Sequence, residues 1–198
     1  ADSISDEVLL SHHYRSVKEI IGFNNKKYYN NKLQINTPKR NLPPLVFQET
    51  ANEDPVNRNT SLNEAQAIAD FVANHPEKSI GIITPFVAQK QLIDQELSSR
   101  GVAATCGTVH TFQGDEKDII LFSFAQTKRT AQNTYNWFAG NKELINVAVS
   151  RAKEELVIFS NSETLNRLRK DNDDLYEVVQ YVQTKGEYKV TPKHSHSR

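Results

Sequence analysis

The sequence contains one cysteine, one tryptophan and no methionine in 198 residues. A single cysteine, Cys106, cannot form an intramolecular disulfide, which excludes a disulfide-stapled secreted scaffold. Proteins without disulfides are typical of reducing compartments, so we expect a cytoplasmic location. We interpret Cys106, at the start of a predicted strand, as a small buried hydrophobic residue rather than a catalytic thiol.

Long apolar runs and an excess of charge of one sign are also lacking. No run approaches the 18 apolar residues of a membrane-spanning helix, and the N-terminus has no basic or apolar signal region, so we expect no membrane association. Lysine plus arginine equals aspartate plus glutamate at 24 each. Bulk charge therefore does not indicate a nucleic-acid binder, and any such contact would come from a local patch or from oriented backbone groups.

Short apolar runs alternate with helical patterns along the chain. The runs expected to form strands are residues 8–10, 45–47, 80–83, 119–124 and 156–159. Their nearly continuous apolar character is typical of a parallel sheet covered on both faces. Ser61 and Glu64 form a capping box that predicts a helix, and Thr84 and Pro85 predict the N-cap and first position of the next. The pattern predicts an α/β fold, with a mostly parallel sheet and helices on both faces.

The remaining segments set the predicted organisation of the chain. We expect loops at residues 31–44, 52–60 and 126–140, and the last of these contains Trp137 and Phe138. Those two rings either cap the following helix against the core or form a gate against a nucleic-acid strand or another domain. Residues 1–170 are predicted to form one domain. An amphipathic helix in residues 171–185 either packs on it or leads to a further domain, and residues 186–198 form a tail.

Three segments join polar side chains to a strand end or a helix start. Ligands of open α/β sheets bind outside the carboxyl ends of the strands. Arg15 follows the first predicted strand, and its planar guanidinium suits a phosphate. In residues 107–118, a glutamate can accept hydrogen bonds from ribose hydroxyls, while threonine hydroxyls and backbone N–H groups can hold a phosphodiester. Arg151 is expected to project from near a helix end, in the arrangement of an arginine finger.

Each segment also has an ordinary interpretation and an alternative function. A surface arginine, a glycine turn with solvated acids and a solvated helical arginine would need no ligand. Asp115, Glu116 and Lys117 at a strand start also form the acid–acid–lysine set that can hold Mg²⁺ in a metal-dependent nuclease. A non-catalytic nucleic-acid-binding module is the other alternative.

The order and content of four segments resemble a known helicase domain. The segments are HYRSVKEIIGFNNKKYYNNKL, IGIITPFVAQKQLI, GTVHTFQGDEKDIILFSFA and NVAVSRAKEELVIFSN. They resemble successive motifs of the second RecA-like domain of superfamily 1 helicases, in the subgroup that contains the nonsense-mediated-decay and senataxin-type helicases. The resemblance runs from about residue 8 to residue 161. It implies a RecA-like P-loop NTPase fold and ATP-dependent helicase activity of the full-length protein, with ATP and Mg²⁺ as cofactors.

The resemblance also implies a role for individual residues. Arg15 would contact the γ-phosphate, and Arg151 would be the arginine finger. Glu116 would bind the ribose, and the other expected nucleotide contacts are Tyr14, Gln113 and Gly114. The residues expected along the nucleic-acid strand are Thr84, Pro85, Gln89, Thr108, His110 and Thr111. No residue of this chain is assigned to a metal.

Two motifs of a complete ATPase are missing from the sequence. There is no G-x-x-x-x-G-K-[ST] phosphate loop and no Asp-Glu metal-binding strand of the helicase type. The family places both in a first RecA-like domain, which we expect to precede Ala1. Together with the lack of methionine, this leads us to expect a piece of a longer protein. We expect it to be monomeric, to bind no ATP alone, and to have single-stranded DNA or RNA and the first domain as partners.

Overall fold

The structure is a computed structural model that describes residues 45–112 and 115–192, except for the side chains of Val109 and His110. The predicted strand at residues 8–10, the predicted loop at 31–44 and the last six residues lie outside the described residues.

Within these ranges, six strands form one parallel sheet. The strands are β1 (Leu45–Glu49), β2 (Ile80–Ile83), β3 (Thr105–Gly107), β4 (Lys117–Ser123), β5 (Ala152–Ser160) and β6 (Glu187–Val190). Their order across the sheet is β3-β2-β4-β5-β1-β6, and every neighbouring pair is parallel. The predicted α/β class with a RecA-like parallel sheet is confirmed.

Helices cover both faces of this sheet. They are α1 (Leu62–Asn74), α2 (Val87–Ser99), α3 (Gln132–Ala139), α4 (Lys142–Arg151), α5 (Ser162–Leu168) and α6 (Asp174–Lys185), with a 3₁₀ turn at Val109–Phe112. Successive residues of β4 enter different cores: Ile119 and Leu121 pack with α1 and α2, whereas Ile120 and Phe122 pack with the other helices. This two-sided burial explains why the strands have continuous apolar runs instead of alternating patterns. Cys106 is buried in the first core, as the sequence predicts.

The start of α1 follows the predicted capping box only in part. The Ser61 hydroxyl accepts a hydrogen bond from the Glu64 backbone N–H at 3.1 Å. The Glu64 side chain does not return to Ser61, because it points toward the sheet, where Ser123 and Ala125 donate to it. A different carboxylate, that of Glu53, accepts from the first N–H groups of the helix.

The predicted start of α2 is wrong by two residues. The helix begins at Val87 with Phe86 as its N-cap, and not with Thr84 as N-cap. Thr84 lies directly after β2 and extends its pairing with β3, because its backbone N–H donates to the carbonyl of Gly107 at 3.2 Å.

Three elements lie in segments for which the sequence predicts none, and one of them is helix α5. Helix α3 occupies most of the predicted loop at 126–140, and it buries Tyr135 and Phe138. Strand β6 lies in the predicted tail at 186–198 and extends the sheet beside β1, which corrects the start of that tail. Helix α6 packs its apolar side into the same core as Leu45 and Phe47. Across the described ranges, no helix has both the length and the apolar content needed to cross a lipid bilayer.

Candidate functional site

The segment between β3 and β4 runs across the sheet, from the side where the parallel strands end, here called the carboxyl edge, to the side where they begin, here called the amino edge. Strand β3 ends at Gly107 on the carboxyl edge, whereas the parallel strand β4 begins at Lys117 on the amino edge. Because β2 lies between these two strands, the segment passes over the face of β2. Phe112 packs at the crossing point, and a Cβ on Gly81 of β2 would lie 2.6 Å from its ring. The missing side chain of Gly81 therefore permits the close crossing.

The crossing separates the predicted site residues into two groups. Thr84 and Thr108 follow β2 and β3 on the carboxyl edge, where the ends of these strands are in register. Glu116 and Arg151 lie on the opposite, amino edge, because the residues that follow them begin β4 and β5 and pair with each other. The sequence-based expectation placed the ligand crevice at carboxyl ends alone. The structure places Glu116 and Arg151 on the amino edge instead, because the crossing segment and helix α4 each lead the chain back to that edge.

Arg151 is packed against the crossing segment. Its side chain is only 3% exposed, and its Nε donates a hydrogen bond to the carbonyl of Phe112 at 2.8 Å. Burial lowers the pKa of the guanidinium, while the charges of Glu116 and Asp115 act in the opposite direction. We expected this side chain to project from the end of α4. The structure shows instead that it joins α4 to the 3₁₀ turn.

The acidic run beside Arg151 is tied into local ion pairs. The Asp115 carboxylate lies 3.3 Å from the ammonium of Lys117. Asp118 accepts a hydrogen bond from the Ser79 backbone N–H at 3.0 Å, and Lys153 lies 3.8 Å from its other oxygen. A bulge in the pairing of β4 with β5 occurs at this point. In the described part of the chain, no group of three or more histidine, cysteine, aspartate or glutamate side chains could hold a metal ion.

On the carboxyl edge, three of the six predicted nucleic-acid contacts are buried. Thr84 and Pro85 are buried, and Gln89 is completely enclosed. The Gln89 side chain accepts from the backbone N–H of Ser61 at 2.8 Å and donates to the hydroxyl of Ser123 at 3.0 Å. It therefore fastens α2 to α1 and β4. Among the described members of this group, two threonines reach the surface: Thr108 is half-buried and Thr111 is exposed.

The other predicted site residues lie outside the described part of the chain. They are Tyr14, Arg15, Gln113, Gly114 and the side chain of His110. Their roles stay predictions.

Glu64 is a buried acid whose environment the sequence did not predict. It is fully buried, and its Oε1 accepts from the Ser123 hydroxyl at 2.7 Å and from the Ala125 N–H at 2.9 Å. Its Oε2 is buried without a hydrogen-bond partner among the described residues. Burial raises the pKa of this carboxyl to about 8, so it is protonated at neutral pH. One feature of the sequence indicated the burial of Glu64. This residue lies four positions before Ile68 and therefore on the apolar stripe of α1.

The loops that follow β1 and β4 meet on the carboxyl edge and enclose a cavity. The Lys128 N–H donates to the carbonyl of Glu53 at 3.1 Å, and Arg129 pairs with Asp54 at 3.0 Å. The cavity has a volume of about 320 Å³, and Arg58 and Arg129 contribute to its wall. No sequence motif predicted this cavity, because its two loops are about 75 residues apart.

Comparison with known proteins identifies the family. A family model described as an AAA domain matches residues 2–163. An uncharacterised ATP-dependent helicase of Methanocaldococcus jannaschii is 25% identical over 186 residues, covering 80% of this chain and 27% of that protein. The DNA polymerase alpha-associated DNA helicase A of Saccharomyces cerevisiae is 34% identical over 132 residues, covering 61% of this chain and 18% of that protein. The probable helicase senataxin of Mus musculus is 27% identical over 194 residues, covering 87% of this chain and 7% of that protein. The chain thus spans about a quarter or less of these relatives.

A solved structure has the same fold. It is the crystal structure of the C-terminal domain of a possible DNA helicase from Lactobacillus plantarum WCFS1. The two chains superpose with a TM-score of 0.52 at 16% identity, over 90% of this chain and 99% of that one. The chain therefore belongs to the AAA domain family and is a C-terminal RecA-like domain of the superfamily 1 helicase type.

Proposed function

We propose that this chain is the C-terminal motor domain of an ATP-dependent nucleic-acid helicase or translocase, and that the two sheet edges have different partners. The amino edge faces a nucleotide held by an N-terminal RecA-like domain, and the carboxyl edge faces single-stranded DNA or RNA. One observation carries this proposal: the segment from Thr108 to Glu116 begins at one edge and ends at the other. Arg151 is bonded to its middle, at Phe112.

The chemistry of the amino edge fits a nucleotide. The guanidinium of Arg151 has only donors, in a planar fork that matches a phosphate, whereas an ionised Glu116 has only acceptors, which match ribose hydroxyls. Glu116 and Arg151 directly precede Lys117 and Ala152, which pair with each other, so both lie at the same point of the amino edge. In this proposal ATP supplies the phosphoryl group, and Arg151 offsets the charge that develops on it. The carbonyl of Phe112 orients the fork by holding Nε.

Other residues complete the nucleotide site in this proposal. Arg15 contacts the γ-phosphate, and Tyr14, Gln113 and Gly114 contact the nucleotide. We assign the ligands of Mg²⁺ to the N-terminal domain, because the resemblance places the Asp-Glu metal-binding strand there.

On the carboxyl edge, the proposed contacts divide by burial. Thr108 and Thr111, together with His110, contact the strand through hydroxyl, imidazole and backbone groups. The buried residues Thr84, Pro85 and Gln89 shape the turn beneath them. We propose that residues 1–170 act as one monomeric unit together with helix α6, which packs into the same core. We also propose a cytoplasmic location, which the single buried cysteine supports.

Neither alternative function is supported as well. The three relatives described above are named as helicases and not as nucleases, which does not favour a nuclease that uses Asp115, Glu116 and Lys117. A module that only binds nucleic acid would need neither an arginine such as Arg151 for a nucleotide phosphate nor an acid such as Glu116 for a ribose.

The experiment replaces Arg151 in the protein that contains both RecA-like domains. Arg151→Ala should lower nucleic-acid-stimulated ATP turnover by roughly 10³-fold, as loss of an arginine finger does. Arg151→Lys should not restore it, because a point charge cannot replace the planar fork. The side chain is buried, so thermal melting must accompany each assay, with turnover measured well below the melting temperature.

Arg100→Ala is the matched control. Arg100 pairs with Asp70 and Glu96 in the other helical layer, so its loss should leave turnover unchanged. Near-normal turnover of a folded Arg151→Ala protein would remove this residue from the mechanism.

A further inference from the structure

Trp137 and Phe138 have different environments on helix α3. Phe138 is completely buried, whereas Trp137 is 54% exposed. The indole ring lies 5.9 Å from the ring of Phe86, with a tilt of 41° between their planes. Phe86 is itself buried between Trp137 and Phe138. The ring of Phe86 packs against one side of Trp137, and more than half of the Trp137 surface is exposed to solvent.

The position of Trp137 connects two features of the carboxyl edge. On one side, Phe86 directly follows Thr84 and Pro85, so the indole lies beside the turn after β2. On the other side, Thr134 lies one helical turn before Trp137 and lines the cavity of about 320 Å³. Residues three apart share a helix face. Trp137 therefore lies on a continuous surface, here called the carboxyl-edge surface, that runs from the turn after β2 to this cavity.

The cavity end of this surface is cationic and rich in hydroxyls. Arg58, Arg129 and Thr130 are among the residues of its wall. Arg129 pairs with Asp54, but their side chains are 75% and 63% exposed, and a pair so exposed contributes little stability. Arg129 can therefore leave the Asp54 carboxylate and bind a phosphate of a ligand with little loss of folding free energy.

The combination of groups favours one class of ligand. Single-stranded nucleic acid is bound by cations that follow its backbone and by aromatic rings on which bases stack. A stable protein interface needs an apolar centre within about 1,000 Å² or more of buried surface. Here the large exposed apolar residues are Trp137 and Val87 beside the turn after β2 and Val56 at the cavity, and most of the other residues of the cavity wall are polar.

We propose that the carboxyl-edge surface binds single-stranded nucleic acid, with one base stacked on Trp137 and a neighbouring phosphate in the cavity beside Arg58 and Arg129. This extends the strand beyond Thr108 and Thr111. The proposal rests on the proposed function, which brings a strand to this edge of the sheet.

Trp137 is the only tryptophan of the chain, so its fluorescence reports on this site alone. The 198-residue chain is titrated with an end-labelled oligothymidylate of about twelve nucleotides at about 50 mM salt. Tryptophan emission and the anisotropy of the label are recorded together. We expect the emission to be quenched in parallel with the rise in anisotropy, because a stacked base contacts the indole ring directly.

Substitutions separate stacking from charge. Trp137→Ala should raise the Kd by roughly 5- to 150-fold, whereas Trp137→Phe should retain most of the affinity. Arg58→Ala and Arg129→Ala should each lower the slope of log Kd against log salt by about 1. Tyr188→Ala removes a comparably exposed ring on strand β6, at the end of the sheet opposite β3, and should leave the Kd unchanged.

The outcomes distinguish this proposal from the function on which it rests. Oligonucleotide binding with unchanged emission and an unaffected Trp137→Ala protein would overturn the stacking site and leave the proposed function standing. Absence of binding at about millimolar chain concentration would overturn both. If Trp137→Ala impaired ATP turnover of the two-domain protein but not oligonucleotide binding, the ring would contact the other domain and the proposal would be wrong.

Discussion

Replacing Glu64 with glutamine should reduce the pH dependence of the domain's stability. In the folded protein the carboxyl has a pKa of about 8, raised from an ordinary 4.5 mainly by burial. The charge of Glu53 also raises this pKa, while the hydrogen bonds from Ala125 and Ser123 lower it. Folding therefore favours the protonated acid. Glutamine has nearly the same shape and keeps an oxygen that can accept both hydrogen bonds, but it does not titrate.

The magnitude follows from proton linkage. Between pH 4.5 and about 8, unfolding releases a proton from Glu64, because the unfolded carboxyl is ionised and the folded one is not. The free energy of unfolding then falls by up to about 1.4 kcal/mol for each pH unit as the pH rises. The stabilisation is complete below the unfolded pKa and is lost by the time the pH exceeds the folded pKa. Over the whole window the loss is at most about 5 kcal/mol, a large share of a typical domain's stability.

Urea unfolding of the wild-type chain and of Glu64→Gln, at several pH values from mildly acidic to mildly alkaline, measures this effect. We expect the wild type to lose a few kcal/mol more than the variant over this range. Glu163→Gln is the control, because Glu163 is exposed on the first turn of α5. Parallel stability curves for the wild type and Glu64→Gln would show that the buried carboxyl does not titrate as we infer.

Three further predictions test the packing around the two edges. Gly81→Ala should destabilise the fold by about 2 kcal/mol, because the new methyl would lie 2.6 Å from the ring of Phe112; an unchanged urea midpoint would contradict the close crossing. Tyr135→Phe should cost about 1–2 kcal/mol in thermal or urea unfolding, since the buried hydroxyl donates to Asp173. The thiol of Cys106, whose pKa is raised by burial to about 12, should react with a thiol reagent only as fast as the chain opens, and rapid labelling of the native chain would disprove its burial.

The sheet could be predicted from the sequence where a strand is buried on both faces. Strand β2 has the predicted bounds, and the apolar centres of β1, β4 and β5 were predicted, because continuous apolar runs are the direct signature of two-sided burial. Strand β6 was not predicted. Its four residues EYKV are mostly exposed, and it is ordered by pairing with β1 about 140 residues earlier. Helix α3 was missed because only two of its eight residues are buried.

The candidate site was predictable in composition but not in arrangement. The residue pattern and the resemblance both pointed to Glu116 and Arg151, but nothing in the sequence showed that they share the amino edge while Thr84 and Thr108 lie on the other. That separation depends on how the chain crosses β2 in the folded structure, and no local sequence pattern encodes this crossing. The burial of Arg151 was equally unpredictable, since its enclosing contact comes from Phe112, 39 residues away in the sequence.

The position of β1 in the sheet has a consequence for the synthesis of the chain. Strand β1 is flanked by β5 and β6, so its nearest partner strand follows about 110 residues later. At roughly 5–20 residues per second, a ribosome needs about 6–22 s to produce that partner. During this interval β1 exposes apolar side chains and unpaired backbone groups on both of its edges, which favours association with other chains. The nascent domain therefore cannot close its sheet until most of its length has been translated.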